Sequence, residues 1–307
     1  MQPPVRIASE VRDAVAARRG VVALETTLLV HGLPPDDAAE LGAHLESAVR
    51  ARGAVPATVG MLDGVAVVGL DASEIARLVE QRASVRKLST RDLGFAAAAR
   101  LDGATTVAAT IALAARAGIE VMATGGIGGV HLGARETFDE SADLGALART
   151  PVLVVASGVK SILDVGATLE RLDTLGVPVA GFQTTSFPGF YVVDSGLLVG
   201  WALESPEHAA TAFLAHRAFG GAGMLLANPV PSDAEMDPGE HDRVLASGLE
   251  AARAQGVTGA AVTPFLLARF ASETAGASVR ANVALVLDNA SLAASVATCV
   301  ARAARAR

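Results

Sequence analysis

The stretch from Ala123 to Asp143, ATGGIGGVHLGARETFDESAD, constrains this chain more than any other. It follows a β-like run at residues 119–122 and precedes a helix-like run at 144–148. Glycines just after a strand let backbone N–H groups approach an anion closely. The carboxylates downstream, Glu136, Asp139 and Asp143, suit a hard metal ion or a set of sugar hydroxyls. Phosphate donors beside carboxylates point to a phosphorylated sugar with a metal nearby. The plainer reading is a glycine-rich turn with a solvated acidic tail, because short glycine motifs recur by chance.

Composition narrows the class. Of 307 residues, 51% are hydrophobic but only 4% aromatic, so the apolar content is mostly Ala, Val and Leu. That is the make-up of helices packed on a largely buried sheet, an α/β fold. No repeat, low-complexity tract or linker interrupts the chain, which predicts one domain over residues 1–307. A net charge of −7 argues against nucleic acid and membrane surfaces as partners. Mean hydropathy is +0.43, yet no uncharged run approaches the roughly 20 residues of a spanning helix. Such apolarity predicts self-association. The single cysteine, Cys299, excludes an intrachain disulfide and a cysteine-based zinc site. The N-terminal MQPPVRIASEVRDAVAARRG is polar and charged, so a cytoplasmic location is expected.

Lysine plus arginine is 25, and only Lys87 and Lys160 are lysines. Where any cation serves, this chain uses arginine. Two retained lysines point to work a guanidinium cannot do, such as nucleophilic amine chemistry.

The remaining elements follow from periodicity and turn signals. Helices are expected over 7–18, 36–50, 73–81, 94–100, 105–117, 206–219, 240–255, 263–275 and 279–302. Strands are expected over 21–24, 57–62, 65–69, 151–155, 177–181 and 223–226. Asp63-Gly64 predicts a hairpin between the second and third of these strands. Glu25 stands at the end of a buried strand, where α/β folds place their chemistry. His31 to Pro35 reads as a turn. Residues 86–93, RKLSTRDL, put cations and hydroxyls before a helix and favour an anion there. Lys160 follows a strand at an expected helix start, where a cation is disfavoured and the neutral amine favoured. Phe187 to Tyr191 can wall a planar base, and Asn228 can contact a ligand. Asn282 and Asn289 are polar exceptions on an apolar helix face.

Many segments, in order, resemble the pseudouridine-5'-phosphate glycosidase (IndA-like) family over nearly the whole chain. Among them are ETTLLVHGLP, GAVPATVGMLDG, KLSTRDL, GATTVAAT, ATGGIGGVH, FDESADL, SGVKSILD, FPGFY and ANVALVLDNA. The resemblance implies a single-domain α/β/α sandwich with a mixed, mostly parallel sheet. It implies reversible cleavage of pseudouridine 5'-phosphate to uracil and ribose 5-phosphate. It also implies a divalent metal, manganese, and a homotrimer. Lys160 is then the amine that forms a Schiff base with ribose C1', and Glu25 the proton donor and acceptor. Asp139 is the metal ligand. Lys87, Val107, Ser141, Ala142, Asp143 and Asn282 contact substrate, with Thr124, Gly125, Gly126 and His131 on the phosphate side. The chain departs from the family pattern at Ala156-Ser157-Gly158-Val159, where the family has Cys-Ala-Gly-Ala. It also has Thr185-Ser186 where acidic residues are expected.

Two other classes compete with this reading. A dinucleotide-binding oxidoreductase needs a third glycine where His131 stands after Gly126 and Gly128. A non-enzymatic sugar-phosphate sensor needs the glycine loop but no reactive lysine.

Overall fold

A computed structural model describes residues 5–32, 35–257 and 262–305. The chain opens with β1 (Val5–Ile7), α1 (Ser9–Ala16), β2 (Val21–Glu25), α2 (Thr27–His31) and α3 (Pro35–Ala51). Next come β3 (Val55–Leu62), β4 (Val65–Val68), α4 (Ala72–Glu80), β5 (Arg86–Leu88), α5 (Leu93–Ala98) and β6 (Gly103–Thr105). The middle holds α6 (Val107–Arg116), β7 (Val121–Ala123), α7 (Ala134–Thr137), α8 (Ala142–Leu147), β8 (Leu153–Ala156) and α9 (Val165–Thr174). It ends with β9 (Val179–Phe182), β10 (Ala202–Leu203), α10 (Pro206–Ala218), β11 (Met224–Ala227), α11 (Pro238–Ala254), α12 (Val262–Glu273) and α13 (Ala277–Arg305).

One sheet runs β1-β4-β3-β2-β7-β8-β11-β9-β10, and β6 branches from β3 to carry β5. All pairs are parallel except β3·β4 and β3·β6. The centre, β2, β7, β8 and β11, is Val/Leu/Ala-rich and buried, as a strand covered on both faces must be. Helix α13 packs on β2, β7 and β8, while α6 packs on β2, β3 and β4. The expected single-domain α/β/α architecture with a mixed, mostly parallel sheet is the observed one.

Local chemistry explains the framework. Asp63 and Gly64 both have positive φ, 50° and 78°, as the tight hairpin turn between β3 and β4 needs. Asp71 and Glu74 form a reciprocal capping box on α4. Pro206 and Pro238 open α10 and α11 behind Ser205 and Asp237 caps.

Two expectations on element type are corrected, and one strand stands where no element was expected. Residues 5–7 are an edge strand, so the first helix begins at Ser9. Residues 103–105 form β6, and α6 begins two residues later than expected, behind the Thr106 cap. Lys87 lies in a strand, β5, whose pairing with β6 a three-residue RKL segment does not announce. Leu33 and Pro34 of the expected turn lie outside the described residues.

Helix α13 is long and apolar enough to cross a membrane by length and composition. Here it is a core helix. Asn289, in its middle, is fully buried and bonded to the sheet-end loops.

Candidate active site

The carboxyl ends of β2, β5, β7 and the loop after β8 converge on one cavity of about 300 Å³. Glu25 enters from β2, Lys87 from β5, Thr124 to Gly126 from β7, and Lys160 from the β8 loop. Phe190, Leu267, Asn282, His31 and Arg82 close the other side. Opening a parallel sheet's ligand site at the strand carboxyl ends is the general rule for such folds.

Glu25 is buried on a central strand, not at a sheet edge. Thr124 Oγ1 donates to its Oε1 at 2.5 Å. Burial pushes its carboxyl above the ordinary range, opposed by Lys160 and by the Thr124 hydrogen bond. Lys87 is pushed the other way. Burial and the nearby Lys160 lower it, opposed by Glu25 and Asp143. Burial therefore moves Glu25 and Lys87 in opposite directions, favouring the neutral form of each.

Lys160 does not stand at a helix start. Its neighbour α9 begins at Val165 behind the Asp164 cap, so Lys160 lies on the loop ahead of that helix and not in its first turn. A zipper of backbone bonds holds it instead. Ile127 N donates to Gly158 O at 3.0 Å and Lys160 N donates to Ile127 O at 3.2 Å. Gly158 makes this turn possible. Its φ is +74°, and a Cβ there would meet Pro188 O at 2.7 Å.

Part of the glycine stretch is spent on packing, and part lines the cavity. The amides of Thr124, Ile127 and Gly128 are bonded to Val155 O, Gly158 O and Asp143 Oδ2. A Cβ on Gly128 would meet Ser141 Oγ at 2.3 Å. Thr124 serves Glu25 through its hydroxyl. Gly125 and Gly126 line the cavity under the Phe190 ring.

Asp143 is a clamp. Its two oxygens accept from Ala108 N and Gly128 N, both at 2.8 Å, tying the start of α6 to the glycine loop. Ser141 caps α8 by accepting from Asp143 N. Val107 and Ala142 are the first residues of α6 and α8. These four do not line the cavity. They are drawn together behind it, near enough for Asp143 to act on both Lys87 and Glu25.

Asp139 and His131 stand apart from the cavity lining that Glu25, Lys87 and Lys160 share. The His131 Nδ1 to Asp139 Oδ2 distance is 3.7 Å. Among the described residues, no cluster of three or more His, Cys, Asp or Glu could hold a metal.

Asn282 does reach the cavity. Its Oδ1 is buried, lacks a hydrogen-bond partner, and lies 3.3 Å from where a Gly125 Cβ would be. Asn228 does not reach it. Its Nδ2 donates to Asp288 Oδ2 and to Asn289 Oδ1, fastening the end of β11 to α13. Asn289 Nδ2 in turn donates to Thr124 O and Ser157 Oγ. Phe187 is core, and only Phe190 of the aromatic segment walls this cavity. Residue-by-residue reading missed His31 and Arg82 as lining. His31 sits in ETTLLVHGLP, but no spacing rule marked it.

Fold and cavity together describe an α/β protein whose cavity groups a buried acid with two amines, as enzymes group such residues. A family model described as Indigoidine synthase A like protein matches residues 10–299, and the chain belongs to that family. It is 56% identical to a pseudouridine-5'-phosphate glycosidase of Salinispora tropica, covering 96% of this chain and 91% of that one. It is 54% identical to one from Roseiflexus sp., covering 97% and 96%. Its fold matches the prealnumycin C-glycosynthase AlnA, solved with ribulose 5-phosphate, at a TM-score of 0.92 and 37% identity over 100% of both chains. It also matches an indigoidine synthase A-like protein of Thermotoga maritima, at a TM-score of 0.88 and 36% identity over 98% and 97%. The chain is therefore an enzyme of this family.

Proposed function

We propose that this enzyme reversibly cleaves pseudouridine 5'-phosphate to uracil and ribose 5-phosphate through a covalent bond to Lys160. The observation that carries the reading is one cavity shared by Glu25, Lys87 and Lys160. Near-full-length relatives named for this reaction support it.

A C-glycoside offers no leaving oxygen or nitrogen at the base. The amine solves this. Lys160 Nζ attacks C1' as the C1'–O4' bond breaks, and O4' takes a proton from Glu25. Glu25 then recovers a proton from the new ammonium and delivers it to uracil C5. The C1'–C5 bond breaks while the nitrogen lone pair forms C1'=N. Water hydrolyses this imine, releasing ribose 5-phosphate and restoring the amine. One water is consumed and the atoms balance. Only a lysine can supply the attacking lone pair, since arginine does not deprotonate at working pH. A carboxyl raised by burial suits repeated proton transfer near neutral pH.

Lys87 and the 124–126 segment that lines the cavity hold the phosphate end, so remote binding energy positions C1'. The unpartnered Asn282 amide offers its oxygen to an imide N–H of the base. Asp139 would hold the divalent ion, manganese. A lone carboxylate with one imidazole nearby fits a hard ion that keeps most of its waters. When bound, such an ion polarises water and orients oxygen ligands.

A homotrimer and a cytoplasmic location belong to the same reading. Exposed Phe95, Phe138, Leu198, Trp201 and Phe219 supply apolar surface for association, and the number three rests on the family resemblance. The function is tested by incubating the purified protein with pseudouridine 5'-phosphate and manganese. Stoichiometric uracil and ribose 5-phosphate are expected. Release of neither product sinks the reading.

A further inference from the structure

The catalytic cavity has two unlike sides. Glu25, Lys87 and Lys160 come from the sheet and its loops, while Phe190, Leu267, Asn282 and His31 close the other side. In the proposed reaction the first set takes the sugar phosphate. The base carried by C1' then meets the second set, whose polar atoms must suit the edge that the base presents.

Two of those atoms are unsatisfied. Asn282 is 5% exposed and His31 half-buried, yet Asn282 Oδ1 and His31 Nε2 are buried with no hydrogen-bond partner. A buried polar atom left unpaired is costly, and in a cavity it fits a ligand group of the opposite kind. The Asn282 oxygen can only accept. His31 is held to the same role. Burial lowers its proton affinity, and the two charged groups acting on it, Lys87 and Arg82, are both cations that lower it further. The neutral ring has one N–H, which its hydrogen bond to the Val85 backbone takes up, leaving Nε2 as a bare acceptor.

Two acceptors on one side of a cavity match two donors on one ring edge. A uracil joined to the sugar through C5 keeps N–H groups at both N1 and N3. A uracil joined through N1 keeps only the N–H at N3. Phe190 supplies a flat apolar face beside these acceptors. Its ring occupies the place that a Cβ on Gly126 would take, at 2.7 Å from that position.

We propose that His31 makes the site selective for a base free at N1, its Nε2 accepting from the base N1–H while Asn282 Oδ1 accepts from N3–H. The inference rests on the proposed reaction for the placement of the sugar. It adds a residue that tells a carbon-linked nucleotide from a nitrogen-linked one. A base without N1–H leaves His31 Nε2 buried and unpaired, and a site built around a substrate N–H rejects the analogue that lacks it.

The test compares pseudouridine 5'-phosphate with its N1-methyl and N3-methyl forms on the parent, His31→Ala and His31→Val. Uracil or methyluracil release gives kcat/KM, and calorimetry in the Lys160→Arg background gives binding without turnover. The parent is expected to disfavour the N1-methyl form by at least about a hundredfold. Both variants are expected to lose about tenfold on the unmethylated base, the size of one lost hydrogen bond, and to treat the N1-methyl form within about threefold of it. Parent and variants should disfavour the N3-methyl form to the same degree, because Asn282 is unchanged. A parent that treats the N1-methyl form like the unmethylated base overturns the assignment. So does a variant that keeps the parent's N1 ratio, or one that loses the N3 ratio as well, since that loss marks a general collapse of the site. If the parent releases no uracil, the proposed reaction falls, and the calorimetric ratios still decide the role of His31.

Discussion

Lys87 and Lys160 reach the same cavity from opposite kinds of backbone. Lys87 is in a strand, where β5 pairs with β6 in register with Ala104. Lys160 is on an irregular loop that exists because Gly158 takes a left-handed φ and zips onto Ile127. A charge that only binds phosphate can be presented by any rigid element. An amine that must reach C1' needs a particular turn, and the chain supplies it from glycines and from neighbours distant in sequence. The proposed function gives contact to Lys87 and reaction to Lys160.

The sharpest way to break that assignment is to change both lysines to arginine. Lys160→Arg is expected to lose ~10⁴-fold or more in turnover, since the covalent route disappears. It should still bind ribose 5-phosphate. Lys87→Arg should lose only about tenfold, mainly as a higher KM, because the phosphate contact needs charge. Steady-state kinetics of the two variants decide this, and similar losses would erase the distinction.

Gly158→Ala sharpens the backbone half of the comparison. The added Cβ meets Pro188 O and the Phe187 ring, and alanine at this φ is strained by about 1–3 kcal/mol. Thermal unfolding should show the loss. Turnover should fall further than stability requires, because the loop that presents Lys160 must move. Activity equal to the parent's would mean the turn is incidental.

Metal removal comes next in size. Chelation should lower turnover, and manganese should restore it in the parent but not in Asp139→Ala. Full activity after exhaustive dialysis against a chelator would remove the metal from the reading.

The smallest effects concern Glu25. Its carboxyl titrates above the ordinary range in the folded protein because burial disfavours its charge. A folded value raised above the unfolded one gives stability that is complete below the unfolded value and lost as pH rises through the folded value. Glu25→Gln should therefore unfold at a higher temperature than the parent at pH 7. The difference should close below about pH 4, where the carboxyl is protonated in both states. Thr124→Val removes the hydrogen bond that favours the charged form, so the alkaline limb of kcat/KM, where Glu25 loses the proton it must donate, should move to higher pH. An unmoved limb would show that another group controls it.

The sequence carried the sheet's core and the reactive groups unevenly. Long apolar strands and the Asp63-Gly64 hairpin were legible because period and turn chemistry are local. Glu25 and the two lysines stood out by position and by scarcity. What could not be read is what long-range pairing creates. β5 and β6 are three residues each and exist through their pairing with each other and with β3. Asp143 reads as a ligand in sequence but serves as a clamp, because Ala108 and Gly128 reach it from 35 and 15 residues away. Asn228 and Asn289 find each other across 61 residues. Several glycines of the stretch 123–143 look like anion donors until the side chains packed against them are known.

The central claim is a covalent bond between Lys160 and C1'. The direct measurement is borohydride reduction of the protein with ribose 5-phosphate, followed by peptide mass mapping. The account predicts one reduced pentose-phosphate adduct per chain, located on Lys160 and missing in Lys160→Arg. An adduct on Lys87, or none under conditions where the parent turns over, would contradict it.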